Sequence, residues 1–198
     1  MKKDPAIISR RLMHPAEGSV FEIRGVLDMA IRLEELPLEP RKEPLADSEL
    51  ESWVRPRDIH VVAATVGEDE HSVGLREILD IKHGGIEKYG FHCHYLGTSV
   101  PLERVLEAAE AMGTRAVLIS TIVTHAGIHT QNMARLHELA AERGLRDRLI
   151  LIVGGTQVTD ELARECGLDA GFGRGTTGRD VASFLVERMR AGERGGSD

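Results

Sequence analysis

Asp69-Glu70-His71-Ser72-Val73-Gly74 sets an imidazole two residues after a carboxylate and three before a glycine, directly behind an apolar run. This is the chemistry of a metal ligand. A neutral imidazole coordinates through one ring nitrogen while the other donates its proton to a carboxylate, which fixes the tautomer and raises the ligand's basicity. His71 is therefore the candidate ligand and Asp69 its partner. His92-Cys93-His94 is a second cluster of ligand-type residues. In a strand it turns both histidines to one face and Cys93 to the other, which argues against a closed zinc site. His125 and His129 stand at helical spacing but lack acidic or cysteine partners, and read as polar surface.

The elements that must position His71 are written in the apolar pattern from Asp58 onward. Strands are predicted over 59–66, 91–96, 116–123, 149–153 and 170–172, with helices over 72–82, 101–112, 129–143, 159–166 and 178–190 between and after them. Strands alternating with helices make a parallel sheet covered on both faces, an α/β fold of the flavodoxin-like, doubly wound class. Such sheets bind ligands beyond the carboxyl ends of their strands, at the switch in strand order. His71 follows the first strand, Gly97 the second, Ser120 closes the third, Gly154-Gly155 follows the fourth and Gly173-Arg174-Gly175 the fifth. All fall on one edge, where glycine lets backbone approach a ligand closely. A metal ligand beside a long glycine-lined groove suggests a large, flat metallo-cofactor with a tail. Flavin mononucleotide suits the fold but does not explain His71.

Residues 1–57 have a different character. Six of the seven prolines lie at or before Pro56. Val20, Ile23, Leu27, Ala30 and Ile31 follow helical spacing between Gly18 and Pro37, predicting one amphipathic helix, and Pro37, Pro40 and Pro44 mark an extended linker. The expected division is an extension over 1–57 and a ligand-binding domain over 58–198. A formal charge of −7 with interspersed signs argues against nucleic acid and anionic membrane as partners. No run reaches membrane-spanning length and no secretory h-region follows Met1-Lys2-Lys3. Cys93 and Cys166 read as free thiols of a cytoplasmic protein.

The motifs resemble cobalamin-binding domains of the base-off, His-on type, which carry Asp-x-His-x-x-Gly, Ser-x-Leu after the third strand and Gly-Gly after the fourth. Asp69, His71 and Gly74 match the first, Ser120 with Ile122 in place of leucine the second, and Gly154-Gly155 the third. The resemblance implies that His71 is the lower axial ligand to cobalt and Asp69 its hydrogen-bonding partner. It further implies that Ser120 contacts the displaced dimethylbenzimidazole tail and that Gly154 and Gly155 wall its channel. Gly97, Ile122, Gly173 and Gly175 complete the expected cofactor-binding set.

Gly85-Ile86-Glu87-Lys88-Tyr89, Leu96-Gly97-Thr98-Ser99-Val100-Pro101, Gly144-Leu145-Arg146-Asp147 and Asp169-Ala170-Gly171-Phe172-Gly173 are similar to the small, cobalamin-binding subunit of lysine 5,6-aminomutase and ornithine 4,5-aminomutase. This likeness covers roughly residues 58 to 190. In that family a lysine eleven residues beyond the axial histidine holds pyridoxal phosphate as a Schiff base, and Lys82 stands at that position. Read from the residues alone, Lys82 is a solvated cation at a helix end. The resemblance implies an isomerase component with adenosylcobalamin and pyridoxal phosphate as cofactors, completed by a barrel-type large subunit. The reaction is then a radical 1,2-amino shift on a basic amino acid such as lysine, beta-lysine or ornithine. The alternative is a corrinoid protein that carries methyl groups for a cobalamin-dependent methyltransferase, which shares the histidine motif but has no use for Lys82.

Overall fold

The structure is a computed structural model that describes residues 6–12, 19–24, 43–67, 71–121 and 127–195. The chain divides into two compact units, Met1–Glu43 and Pro44–Asp198. In the first unit, strands β1 (Ala6–Leu12) and β2 (Ser19–Arg24) pair antiparallel. Ile7 stands opposite Ile23 and Arg10 opposite Phe21, with the Arg10 guanidinium 5.5 Å from the Phe21 ring centre. The helix expected from Gly18 is thus a strand over its first part; Leu27, Ala30 and Ile31 lie outside the described residues. The physical reason is local. Val20, Phe21 and Ile23 are β-branched or aromatic, and the polar Glu22 and Arg24 alternate with Phe21 and Ile23 at the period of a strand.

In the second unit, helix α1 (Asp47–Val54) comes before the sheet, so the division falls at 43/44 and not at 57/58. This helix buries Leu50 and Val54 completely; of the prolines expected to mark a linker, Pro37 and Pro40 lie outside the described residues. Long-range polar contacts hold it. Tyr89 Oη donates to Asp47 Oδ1 at 2.9 Å, Lys88 Nζ lies 3.2 Å from Oδ2, and Arg190 reaches Glu49 at 2.7 Å.

The sheet contains β3 (His60–Thr65), β4 (His92–Tyr95), β5 (Ala116–Ser120), β6 (Ile150–Gly154) and β7 (Ala170–Phe172), all parallel, in the order β4-β3-β5-β6-β7. The expected flavodoxin-like order is present, and the chain reverses its direction of travel between β3 and β5. The remaining helices are α2 (Val73–Leu79), α3 (Leu102–Ala111), α4 (Ile128–Glu142), α5 (Asp160–Glu165) and α6 (Gly178–Gly195). Two short 3-10 turns, Ile81–His83 and Ile86–Tyr89, follow α2. Alternate residues of β3 feed opposite faces. Val62, Ala64 and Val66 pack with Leu106 of α3, Leu136 of α4 and Ala163 of α5, while Val61 and Ala63 pack with Leu50, Leu75 of α2 and Leu185 of α6. Both faces are covered, so β3 and β5 bury nearly every side chain, as their unbroken apolar sequences require. Among the described residues no helix is long and apolar enough to cross a membrane.

Candidate functional site

Three strands end at one place on the carboxyl edge. Leu118 to Ser120 of β5, Ile152 to Gly155 behind β6 and Phe172 to Gly175 behind β7 form the floor and one end of a groove of about 500 Å³. Gly74, Leu75, Glu77 and Ile78 of α2 wall one side; Gly178 and Val181 of α6 wall the other. The volume lies within the range of small-molecule and cofactor sites. Its lining is mainly glycine and aliphatic carbon, the surface that receives a flat aromatic group.

His71 follows β3 at the same edge, immediately before α2, and is exposed. Asp69, its expected partner, lies outside the described residues, as does Ile122. Gly74 is in the first turn of α2 on the groove wall, where an added Cβ would meet no atom within 4 Å. Ser120 is buried at the end of β5 and is in register with Thr65, whose fully buried hydroxyl has no hydrogen-bond partner among the described residues.

The structure separates the two glycines behind β6. A Cβ on Gly154 would stand 3.9 Å from Phe172 O and 4.0 Å from Ile119 O, ordinary contact distances. One on Gly155 would drive into the Thr121 carbonyl oxygen and meet Val158 Cγ2 at 2.9 Å. Gly155 is therefore demanded by the fold, whereas Gly154 merely leaves the groove open. Gly173 and Gly175 line the groove as expected. Gly97 does not: its carbonyl accepts from Thr65 N–H at 3.0 Å, at the end of β4, away from the lining residues.

Lys82 sits on the 3-10 turn that follows α2, exposed, and not at the end of a continuous helix as expected from the sequence. Asp80 organises that turn. Its carboxylate accepts from Lys82 N–H at 2.8 Å, and its carbonyl accepts from the His83 and Gly85 amides at 3.0 and 2.9 Å. The next two residues, His83 and Gly84, line the groove, so Lys82 stands at its rim. Gly84 and Gly85 bring the turn onto the start of α6, where a Cβ on Gly178 would lie 2.7 Å from Gly85 Cα. Glu77 and His83 are groove residues that the spacing of motifs did not reveal; the Gly84-Gly85 pair, placed against Gly178 by packing, was the available signal.

His92 and His94 lie at the opposite, amino edge of the sheet with His60 and Asp58. His94 Nε2 is 2.7 Å from His60 Nδ1, and Asp58 Oδ1 lies 3.1 Å from His60 Nε2 and 3.2 Å from His92 Nε2. The carboxylate only accepts, so neutral rings satisfy all three contacts when each donates from Nε2. Cys93 points to the other face, and burial, with the Glu87 carboxylate adding, pushes its thiol up to about 12.

Residues 59–182 match the family described as B12 binding domain. The chain is 51% identical over 184 residues to the D-ornithine 4,5-aminomutase subunit beta of Acetoanaerobium sticklandii, across 93% of this chain and 25% of that one. It is 33% identical over 196 residues to the lysine 5,6-aminomutase beta subunit of the same organism, across 94% of this chain and 74% of that one. The solved structure of the Methanosarcina barkeri monomethylamine corrinoid protein superposes with a TM-score of 0.57 at 25% identity, covering 72% of this chain and 63% of that one. The chain thus spans a quarter of the length of the ornithine relative.

Proposed function

Because the chain belongs to the B12 binding domain family and, within it, to the aminomutase beta subunits, we propose that it is the cobalamin-holding component of an aminomutase acting on a basic amino acid. The observation that carries this reading is a coincidence on one edge. An open glycine-walled groove lies at the carboxyl ends of the parallel strands, with an exposed imidazole just before α2, which walls it, and an exposed lysine on the turn just after α2.

The residues present fit cobalamin. His71 is the group to ligate cobalt, with Asp69 orienting it, and it does so as the neutral ring. The groove along Ser120 and Gly154 takes the displaced nucleotide tail, with room at Gly154 that packing does not need. When bound, adenosylcobalamin supplies a carbon radical and pyridoxal phosphate the electron-delocalising ring, so the protein's work is to hold both and exclude water. Lys82 is the residue to hold pyridoxal phosphate covalently. Lys82 is exposed, so a partner's surface can cover it and take its amine out of water. That surface belongs to a barrel-type large subunit carrying the substrate site. We place the assembly in the cytoplasm, in keeping with two unpaired cysteines.

A second reading, a methyl-carrying corrinoid protein, has the likeness to the monomethylamine corrinoid protein in its favour. Lys82 discriminates. With the large subunit and pyridoxal phosphate present, borohydride reduction and digestion should yield a modified peptide containing Lys82, and Lys82→Ala should abolish it while leaving cobalamin binding intact. A label on Lys88, on the partner or nowhere makes the methyl carrier the better reading.

A further inference from the structure

Among the residues that wall the groove, Glu77, His83 and Arg174 carry ionisable side chains. His83 Nδ1 has a carboxylate nearby, Asp80 Oδ2 at 3.6 Å. The first turn of α6 is likewise supplied, since Asp180 Oδ2 accepts from Thr177 N–H at 2.8 Å and from its hydroxyl at 2.6 Å. Glu77 and Arg174 differ from these, since neither makes a hydrogen bond or ion pair among the described residues, and of the two only Arg174 is a cation. It stands on the wall of a formed groove. The backbone on either side is dictated. A Cβ on Gly173 would meet Val158 O at 2.8 Å, and Gly175 has a left-handed φ of 78°. The loop between β7 and α6 therefore brings one cation to the groove wall and leaves it without an ion pair among the described residues.

We infer that Arg174 is the anchor for the phosphodiester of the cobalamin nucleotide tail, which is the fixed negative charge between the corrin ring and the terminal base. The inference rests on the cobalamin reading above. A guanidinium matches a phosphate with two parallel N–H donors, which a neutral or ammonium side chain does not reproduce. Arg174 thereby makes the groove selective for corrinoids that carry the nucleotide loop, over incomplete ones. It is a positioning residue, remote from the cobalt-bound carbon.

Three ligands of the full chain separate the contributions: adenosylcobinamide, which lacks phosphate and base, adenosylcobinamide phosphate, which lacks only the nucleoside, and adenosylcobalamin. Affinities are measured by equilibrium dialysis. The wild-type chain should bind the phosphate form more tightly than cobinamide. Arg174→Gln should weaken both phosphate-bearing ligands by about 10-fold, the low end for a charge-assisted hydrogen bond at an exposed rim, and leave cobinamide unchanged. Arg174→Lys should recover part of the loss, and the wild-type preference should shrink as salt is raised. Equal losses for all three ligands, or none for any, would overturn the anchor while leaving cobalamin binding in place. A wild-type chain that binds none of them refutes the cobalamin reading itself.

Discussion

Lys88 and Lys82 are six residues apart and differ in what surrounds them. Lys88 is committed to structure, with its ammonium 3.2 Å from Asp47 and 4.6 Å from the Tyr89 ring centre. The hydrogen bonds from Tyr89 and then Lys88 hold the Asp47 carboxyl below its usual value of 3.8. A depressed carboxylate contributes stability that is present above its unfolded value and is lost as pH falls through the lower folded one. Asp47→Asn should therefore lower the melting temperature at pH 7, and the gap from wild type should begin to close as pH falls below about 3.8 and vanish once the folded-state carboxyl, which titrates lower, is protonated as well. A gap that stays constant with pH would show that the carboxylate does not hold α1. Cys93 gives a second test at this scale. Its thiol is pushed up to about 12 by burial, so iodoacetamide at pH 8 should leave it unmodified in the native chain and alkylate it on unfolding. His71 belongs here too. Asp69→Asn should weaken corrinoid binding by about 10 to 100-fold, the usual effect of losing a ligand's orienting partner, without abolishing it.

The turn behind β6 shows how far an element can be read before it is seen. The sequence places Gly154-Gly155 at a strand's carboxyl end, but it does not say that the two serve different ends. That depends on Thr121, Ile119 and Phe172 approaching from neighbouring strands. Gly154→Val should leave the melting temperature nearly unchanged and weaken cobalamin more than cobinamide. Gly155→Ala should destabilise the fold by about 1 to 3 kcal/mol, the ordinary cost of overpacking. Equal corrinoid losses for Gly154→Val would assign that glycine to the turn instead. The five strands were legible because each is a short apolar run between amphipathic helices, and their shared carboxyl edge followed from the alternation. Helix α1 was not, because its short sequence among prolines acquires meaning only through Tyr89, Lys88 and Arg190, distant in the chain. Strand β2 was misread because Val20 and Ile23 satisfy helical spacing while the residues between them satisfy a strand's alternation. His83 stayed hidden because its place on the groove depends on Gly84-Gly85 packing against Gly178.

At the scale of the molecule, the Pro44–Asp198 unit separates its labours by edge and face. One face of the sheet packs α3, α4 and α5; the other packs α1, α2 and α6, and the groove opens between α2 and α6 at the carboxyl ends. The histidine network occupies the amino edge, away from the groove, and the imidazole we propose for cobalt is therefore His71 and not the more conspicuous cluster. Everything proposed about chemistry rests on that choice. The most direct test reconstitutes the full chain with cob(II)alamin and records its paramagnetic resonance spectrum with the histidines labelled with nitrogen-15. Hyperfine coupling from one protein imidazole, changed by the label and lost in His71→Ala, is the predicted result. Coupling that ignores the label and comes from the cofactor's own benzimidazole would contradict the account at its centre.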